Sequence, residues 1–188
     1  MIRCFDSSNI QNVNQTVDPV RDLEIIETEM MLADLESIQK RLDKKNKKSL
    51  DKEQQDILES TADCLNNNKD LIKINEKFDL ATINKSGLLS LKPKIYVCNV
   101  DEKSIKNGNK YTNLFTEKFG KKNTLIISAD IENQINQLSN EEKVNYMKMI
   151  GSDETGLKLM IKKGYDILEL DTFFTSGPEE TRAWTIKK

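Results

Sequence analysis

The chain has 188 residues, of which 37% are apolar and 32% charged, with a formal net charge of −2. This suits one main domain with room for a small appendage, and charged helical faces rather than a thick all-β core. It excludes any global electrostatic attraction to nucleic acid or membrane, so such a contact has to come from a local patch. There is no histidine, which removes Ser-His-Asp and Cys-His nucleophiles and most zinc catalysis, but not phosphoryl transfer, which runs on positioning and electrostatics. Cys4, Cys64 and Cys98 form no C-x-x-C pair, and Cys4 and Cys98 read as small buried hydrophobes. No apolar run approaches the ~18 residues of a membrane span, and Met1 to Asp6 lacks a signal-peptide layout. The expectation is a soluble cytoplasmic protein.

In chain order, Ile2 to Phe5 reads as a short strand and Asp6 to Val17 as a polar loop. Asp18-Pro19 starts a helix, with Asp as N-cap and Pro at the first helical position, and the sequence predicts a long helix from Asp22. Met31, Leu35, Ile38 and Leu42 repeat at steps of four, three and four, a coiled-coil-like stripe. A second helix covers about Leu50 to Leu65, with Ile57, Leu58 and Leu65 inward, so that the pair forms an antiparallel hairpin. Residues 69–93 mix helix and turn.

A strand over Ile95 to Cys98 follows, then a helix over Tyr111 to Phe119 with Leu114, Phe115 and Phe119 inward. The next strand, Thr124 to Ile127, runs into a turn at Ser128-Ala129-Asp130. Ser139-x-x-Glu142 is a capping box that opens a helix through Met149. Thr155 caps a last helix with Leu157, Met160, Ile161, Tyr165 and Leu168 on one face. The order predicts an α/β fold, a parallel sheet interrupted by a helical excursion. Asp171 to Thr175 and Arg182 to Ile186 then read as two strands about a turn at Ser176-Gly177-Pro178.

The chemistry-bearing motif is Asn99-Val100-Asp101-Glu102 at a strand end. In GTPases this loop is N-K-x-D: Asn approaches the base, and Asp accepts from guanine N1–H and its exocyclic amine together. Here Val100 replaces Lys and Glu102 replaces Asp. Glutamate is one methylene longer, so the bidentate geometry shifts, and guanine preference weakens toward tolerance of, or preference for, ATP. A lone N-x-x-E is common, and an ordinary polar loop is the simpler reading of it. Ser128 and Ala129, after the next strand, match the S-A turn that faces this loop in GTPases. No phosphate loop of the form G-x-x-x-x-G-K-[S/T] occurs in these residues. Lys40, Arg41, Lys44, Lys45, Lys47 and Lys48 are candidate phosphate contacts for RNA, or equally a solvated helix end favoured by the dipole.

These residues resemble the YchF/Obg-like ATPase family of translation-factor-class P-loop NTPases. The resemblance rests on Ile2-Arg3-Cys4-Phe5, Val17-Asp18-Pro19, Asp22-Leu23-Glu24-Ile25-Ile26, Leu32-Ala33-Asp34-Leu35 and Lys92-Pro93. It continues through Asn99-Val100-Asp101-Glu102, Gly156-Leu157, Gly164-Tyr165, Leu170 to Pro178 and Arg182-Ala183-Trp184-Thr185. It implies a ribosome-associated ATPase, linked to translation and redox state, that also binds GTP and uses Mg²⁺ with the nucleotide. It further implies a coiled-coil insertion and a C-terminal β domain of the TGS type. By position, Asn99, Val100 and Glu102 would form the base loop, opposed by Ser128 and Ala129. Asp130 departs from the Lys-like residue common after Ser-Ala.

The expected division is a nucleotide-binding part at 1–17 and 92–170, a helical insertion at 18–91 and the first TGS hairpin at 171–188. The phosphate loop, Mg²⁺ ligands and switch segments of the family precede the position of Met1, and most of the TGS domain follows Lys188. No catalytic or metal-ligating residue is therefore assigned. Without the family's central strands, Ile95 to Cys98 and Leu125 to Ile127 are expected on a bare sheet edge. Three roles remain open: a base-binding module with little ATPase activity unless a separate chain supplies the phosphate-loop half, a nucleotide-independent RNA- or ribosome-binding helical module, or a non-functional remnant.

Overall fold

The computed structural model describes residues 1–7, 16–43, 49–67, 69–151 and 154–188. They form two compact units, one of Met1–Asp22 with Pro93–Lys188 and one of Leu23–Lys92.

The first unit is built on a parallel sheet in the order β1-β2-β3, from Ile2–Arg3, Tyr96–Asn99 and Thr124–Ile127. Ile2 pairs with Cys98 and Arg3 with Asn99; Tyr96 to Asn99 pair in step with Thr124 to Ile127. Between β2 and β3 runs α5 (Lys110–Phe119), capped by Asn109, whose Oδ1 accepts from the Tyr111 and Thr112 N–H groups. Phe115 is fully buried and meets Tyr96 edge-on at 5.7 Å between ring centroids, with Phe119 4.8 Å from Phe115. After β3 come α6 (Ala129–Asn136), α7 (Asn140–Ile150) and α8 (Gly156–Ile167). Ile131 and Ile135, four apart, bury the inner face of α6. The chain closes on an antiparallel hairpin, β4 (Leu170–Ser176) with β5 (Thr181–Lys187), in which Phe173 lies opposite Trp184.

The second unit is helical. The helix α1 (Pro19–Leu42) starts in the first unit, where Asp18 Oδ1 accepts from the Arg21 N–H at 3.0 Å, and continues into the second. It is followed by α2 (Lys52–Asn66), α3 (Ile72–Lys77) and α4 (Leu80–Ser86). Ile38, Ile57, Leu58, Cys64, Ile74, Ile83, Leu88 and Leu91 form its core. Buried Asp34 ties the end of the unit to α1: its carboxylate accepts from the Leu89 N–H at 2.8 Å, the Ser90 N–H at 2.7 Å and the Ser90 hydroxyl at 2.5 Å.

Several expectations need correction. The strand expected at Ile95–Cys98 lies one residue later. It is the middle strand of the three rather than a bare edge, because β1 hydrogen-bonds along its other side and leaves Val97 and Cys98 buried. The first strand covers only Ile2–Arg3, while the long helix runs unbroken from the Asp18-Pro19 start. Ser128-Ala129-Asp130 is the cap and first turn of α6, not a free turn. Leu114 points outward, since α5 turns only Thr112 and Phe115 fully inward. Leu157, Ile161 and Leu168, read as sharing one face, are each more than half exposed. The hairpin strands reach further than read, from Leu170 and to Lys187.

Candidate functional site

Parallel strands deliver the loops at their carboxyl ends side by side, and this is where open α/β sheets place ligands. Here β2 and β3 end in register at Asn99 and Ile127, so the segments beginning at Val100 and Ser128 are neighbours. The Val100 N–H donates to the Ile127 carbonyl at 2.9 Å, and the Val100 side chain is buried. Valine at this position therefore anchors the loop from beneath and offers the surface no side chain.

Asn99 joins three elements. Its backbone carbonyl accepts from the Cys4 N–H at 2.8 Å, fixing the end of β1. Its side-chain Oδ1 accepts from the Ala129 N–H at 2.9 Å, fixing the first residue of α6. Buried Ser128 caps the same helix, its hydroxyl accepting from the Ile131 N–H at 3.5 Å. Thus Asn99 and Ala129, thirty residues apart in sequence, are in direct contact, and Ser128 caps the helix that Ala129 begins.

Asp101 opens a single 3₁₀ turn, Glu102–Ser104, whose first residue is exposed. The Glu102 carboxylate has no hydrogen bond or ion pair among the described residues. A network unforeseen in the sequence adjoins it: Gln134 donates to Asp130 at 3.1 Å and accepts from the Tyr146 hydroxyl at 2.8 Å. Burial, with the Glu102 and Asp130 carboxylates beside it, holds the Tyr146 phenol above its ordinary range, so the hydroxyl stays protonated.

Two further supports escaped the sequence reading. Asn109 donates from Nδ2 to the Cys4 carbonyl at 2.7 Å and to the Ser104 hydroxyl at 3.2 Å, binding β1, the 3₁₀ turn and α5 together. The local signal was Gly108-Asn109 ahead of a helix, an N-cap pattern. Beneath the loop, the buried thiols of Cys4 and Cys98 share a hydrogen bond, and this with burial pushes the Cys4 thiol up. Both act as small core residues, as read.

Of the basic run, Lys40 pairs with Glu36 at 2.6 Å, and Arg41 donates to the Ser86 carbonyl at 2.6 Å. Lys44, Lys45, Lys47 and Lys48 lie outside the described residues. No three His, Cys, Asp or Glu side chains converge to hold a metal among the described residues. Nor is any described helix long and apolar enough to cross a membrane.

The arrangement defines a class: a parallel α/β protein in which an Asn-bearing loop and a Ser-capped helix meet at adjacent strand ends. No protein-family model matches the chain. Individual relatives do. The chain is 34% identical over 194 residues to the "Ribosome-binding ATPase YchF" of Haemophilus influenzae, covering 99% of this chain and 53% of that protein. It is 33% identical over 198 residues to the protein of the same name from Bacillus subtilis, covering 100% and 54%. The solved structure of the Schizosaccharomyces pombe YchF GTPase superposes with a TM-score of 0.75 at 30% identity, over 99% of this chain and 53% of that one. The chain belongs to the YchF family, and it spans about half the length of the curated relatives it matches.

Proposed function

We propose that this chain carries the purine-reading part of a YchF-type ATP/GTP site and that it prefers adenine. The observation behind this reading is the hydrogen bond from the Ala129 N–H to Asn99 Oδ1. In a GTPase-like site that N–H is the donor a guanine O6 needs. Here it is already engaged, and a guanine would have to break the bond to use it. Asn99 Nδ2 remains a donor for the purine N7, and the Glu102 carboxylate can accept from the adenine exocyclic amine. Glutamate in place of aspartate also spoils the paired acceptance from N1–H and N2–H on which guanine recognition depends. A polar site of this kind discriminates because the wrong base leaves its donors and acceptors mismatched. Val100, Ser128 and Ala129 serve as its framework.

The nucleotide-binding part would comprise residues 1–17 and 92–170, the coiled-coil insertion 18–91, and the start of a TGS domain 171–188. In YchF-type function Mg²⁺ and the triphosphate supply most of the affinity and the transition-state stabilisation, as in phosphoryl transfer generally. The donor set described here does not fit that metal, so no residue is assigned to it and no hydrolytic step is derived. ATPase activity on a ribosome, in the cytoplasm, would belong to this chain together with a phosphate-loop half, whether joined or supplied as a partner. The basic run Lys40 to Lys48 supports a second role, contact with ribosomal or other RNA at the end of α1.

Titration calorimetry with ATP and GTP, each with Mg²⁺, tests the base reading. Weak saturable binding is expected, tighter for ATP, and lost in Asn99→Ala with the fold intact. Equal or tighter binding of GTP, or unchanged ATP binding in Asn99→Ala, would sink it.

A further inference from the structure

The base-reading turn is the first turn of α6, a helix of only eight residues. Helices this short are marginal alone, so something outside α6 has to fix it. Burial of Ile131 and Ile135 sets its inner face, and Glu132 ties it to α8. Its two carboxylate oxygens accept from the first two N–H groups of α8, Gly156 at 2.6 Å and Leu157 at 3.2 Å.

These are donors that no residue within α8 can satisfy. The third, Lys158 N–H, goes to the Thr155 hydroxyl at 3.2 Å. The three free donors of the first turn are thus shared between the local cap and one carboxylate from α6. The bonds are charge-assisted and lie at the positive end of the α8 dipole, which makes them stronger than ordinary amide contacts.

Gly156 permits this approach. A Cβ there would fall 2.7 Å from Ile127 Cγ2 and 2.9 Å from Glu132 Oε1. Ile127 is the last residue of β3, directly before Ser128. The start of α8 therefore presses against the strand entering the turn and grips the helix leaving it. Ala129, whose N–H meets Asn99, lies between these two points.

We propose that Glu132 is a positioning residue for base recognition: held by α8, it fixes the Ala129 N–H in its bond to Asn99 and thereby sets the discrimination between adenine and guanine. The part concerning discrimination rests on the base reading above; the part concerning position does not.

The test uses the full chain and two readouts. Amide hydrogen exchange at Ala129 reports the position of the turn with no nucleotide present. In Glu132→Ala the Ala129 amide should exchange about fivefold faster, the loss of roughly one hydrogen bond's net worth, while amides of β2 keep their wild-type rates. Glu132→Gln, which retains one acceptor, should fall between. Gly156→Ala should reproduce Glu132→Ala by displacing α8. Glu154→Gln, which weakens the pairs of Glu154 with Lys158 and Lys162 but keeps Glu132 and Gly156, should leave Ala129 unchanged.

In the second readout, the ratio of ATP to GTP dissociation constants should move toward one in Glu132→Ala more than either affinity alone requires. Unchanged Ala129 exchange in Glu132→Ala, or acceleration spread equally over the sheet, would overturn the proposal. A wild-type chain that binds neither nucleotide overturns the base reading and the discrimination clause with it, while the exchange measurement still decides the clamp.

Discussion

Replacing Asp34 with alanine should cost the helical unit about 3–4 kcal/mol. The carboxylate is buried and takes three donors: the Leu89 N–H, the Ser90 N–H and the Ser90 hydroxyl. The hydroxyl can turn to another acceptor, but the two backbone donors cannot move without unmaking the segment after α4. Ser90 is 8% exposed, so its N–H would be left without water, at roughly 2 kcal/mol. Leu89 is 43% exposed, so water reaches its N–H and the loss there is nearer 1 kcal/mol. The Ser90 hydroxyl bond adds about 1 kcal/mol, and relief from burying a carboxylate returns part of the total.

A unit the size of Leu23–Lys92 is stable by roughly 4–10 kcal/mol. The loss is therefore large enough to unfold a substantial fraction at elevated temperature. Urea denaturation followed by helical circular dichroism measures it. Asp34→Asn should lose nearly as much as Asp34→Ala, because the carboxamide turns a donor toward donors. Ser90→Ala should lose only about 1 kcal/mol, since the carboxylate keeps both backbone bonds. A loss below about 1 kcal/mol in Asp34→Ala, or a Ser90→Ala variant as unstable as Asp34→Ala, would refute the reasoning.

Gly108 has φ +68°, and a Cβ there would meet Thr112 Oγ1 at 2.5 Å; Gly108→Ala should cost about 2–3 kcal/mol, against about 1 kcal/mol for Gly87→Ala, where φ is +72° but the space is open. Asp51 pairs with Lys85 and caps α2, and these bonds hold its carboxyl below the ordinary aspartate range. A depressed carboxylate contributes stability above its unfolded value and loses it as pH falls through the lower folded value, so the helical unit should weaken below about pH 4. Carbon-detected titration of Asp51 should show the lowered midpoint and its upward return in Lys85→Ala. If the basic run touches RNA, glutamine at Lys44, Lys45, Lys47 and Lys48 should flatten the logarithmic salt dependence of binding by up to about 3–4 units; an unchanged slope removes those lysines from any interface.

What could be read from the chain alone was what neighbouring residues determine. Caps are local, and Asp18-Pro19, Ser139 with Glu142, and Thr155 each start a helix where their spacing places it. The strand Thr124–Ile127 was legible because four β-favouring residues stand between turn signals. Ser128 shows where the local signal was present and underweighted. It has the same cap chemistry as Ser139, followed by Ile131 and Ile135 at helical spacing, yet only two apolar residues mark the helix that follows. Leu114 was misplaced because ten residues of α5 admit more than one inward arc, and the packing of Phe115 on Tyr96 selects among them.

What could not be read depends on distance along the chain. No pattern in β2 says that it lies between β1 and β3, because strand order is a property of the whole sheet. The bond from Asn109 to Cys4 spans 105 residues, that from Ser90 to Asp34 spans 56 and that from Gly156 to Glu132 spans 24. Each of these joins a polar side chain to a backbone donor or acceptor distant in sequence. The motif residues Asn99, Glu102, Ser128 and Ala129 were legible because base chemistry restricts which side chains can stand at a strand end. The residues that hold them, Glu132, Asn109 and Gly156, are restricted by contacts with partners distant in sequence, which no local pattern names. Geometry at the site is therefore set by residues whose sequence signal is weakest, which is why altering Glu132 is more informative about the site than altering the motif itself.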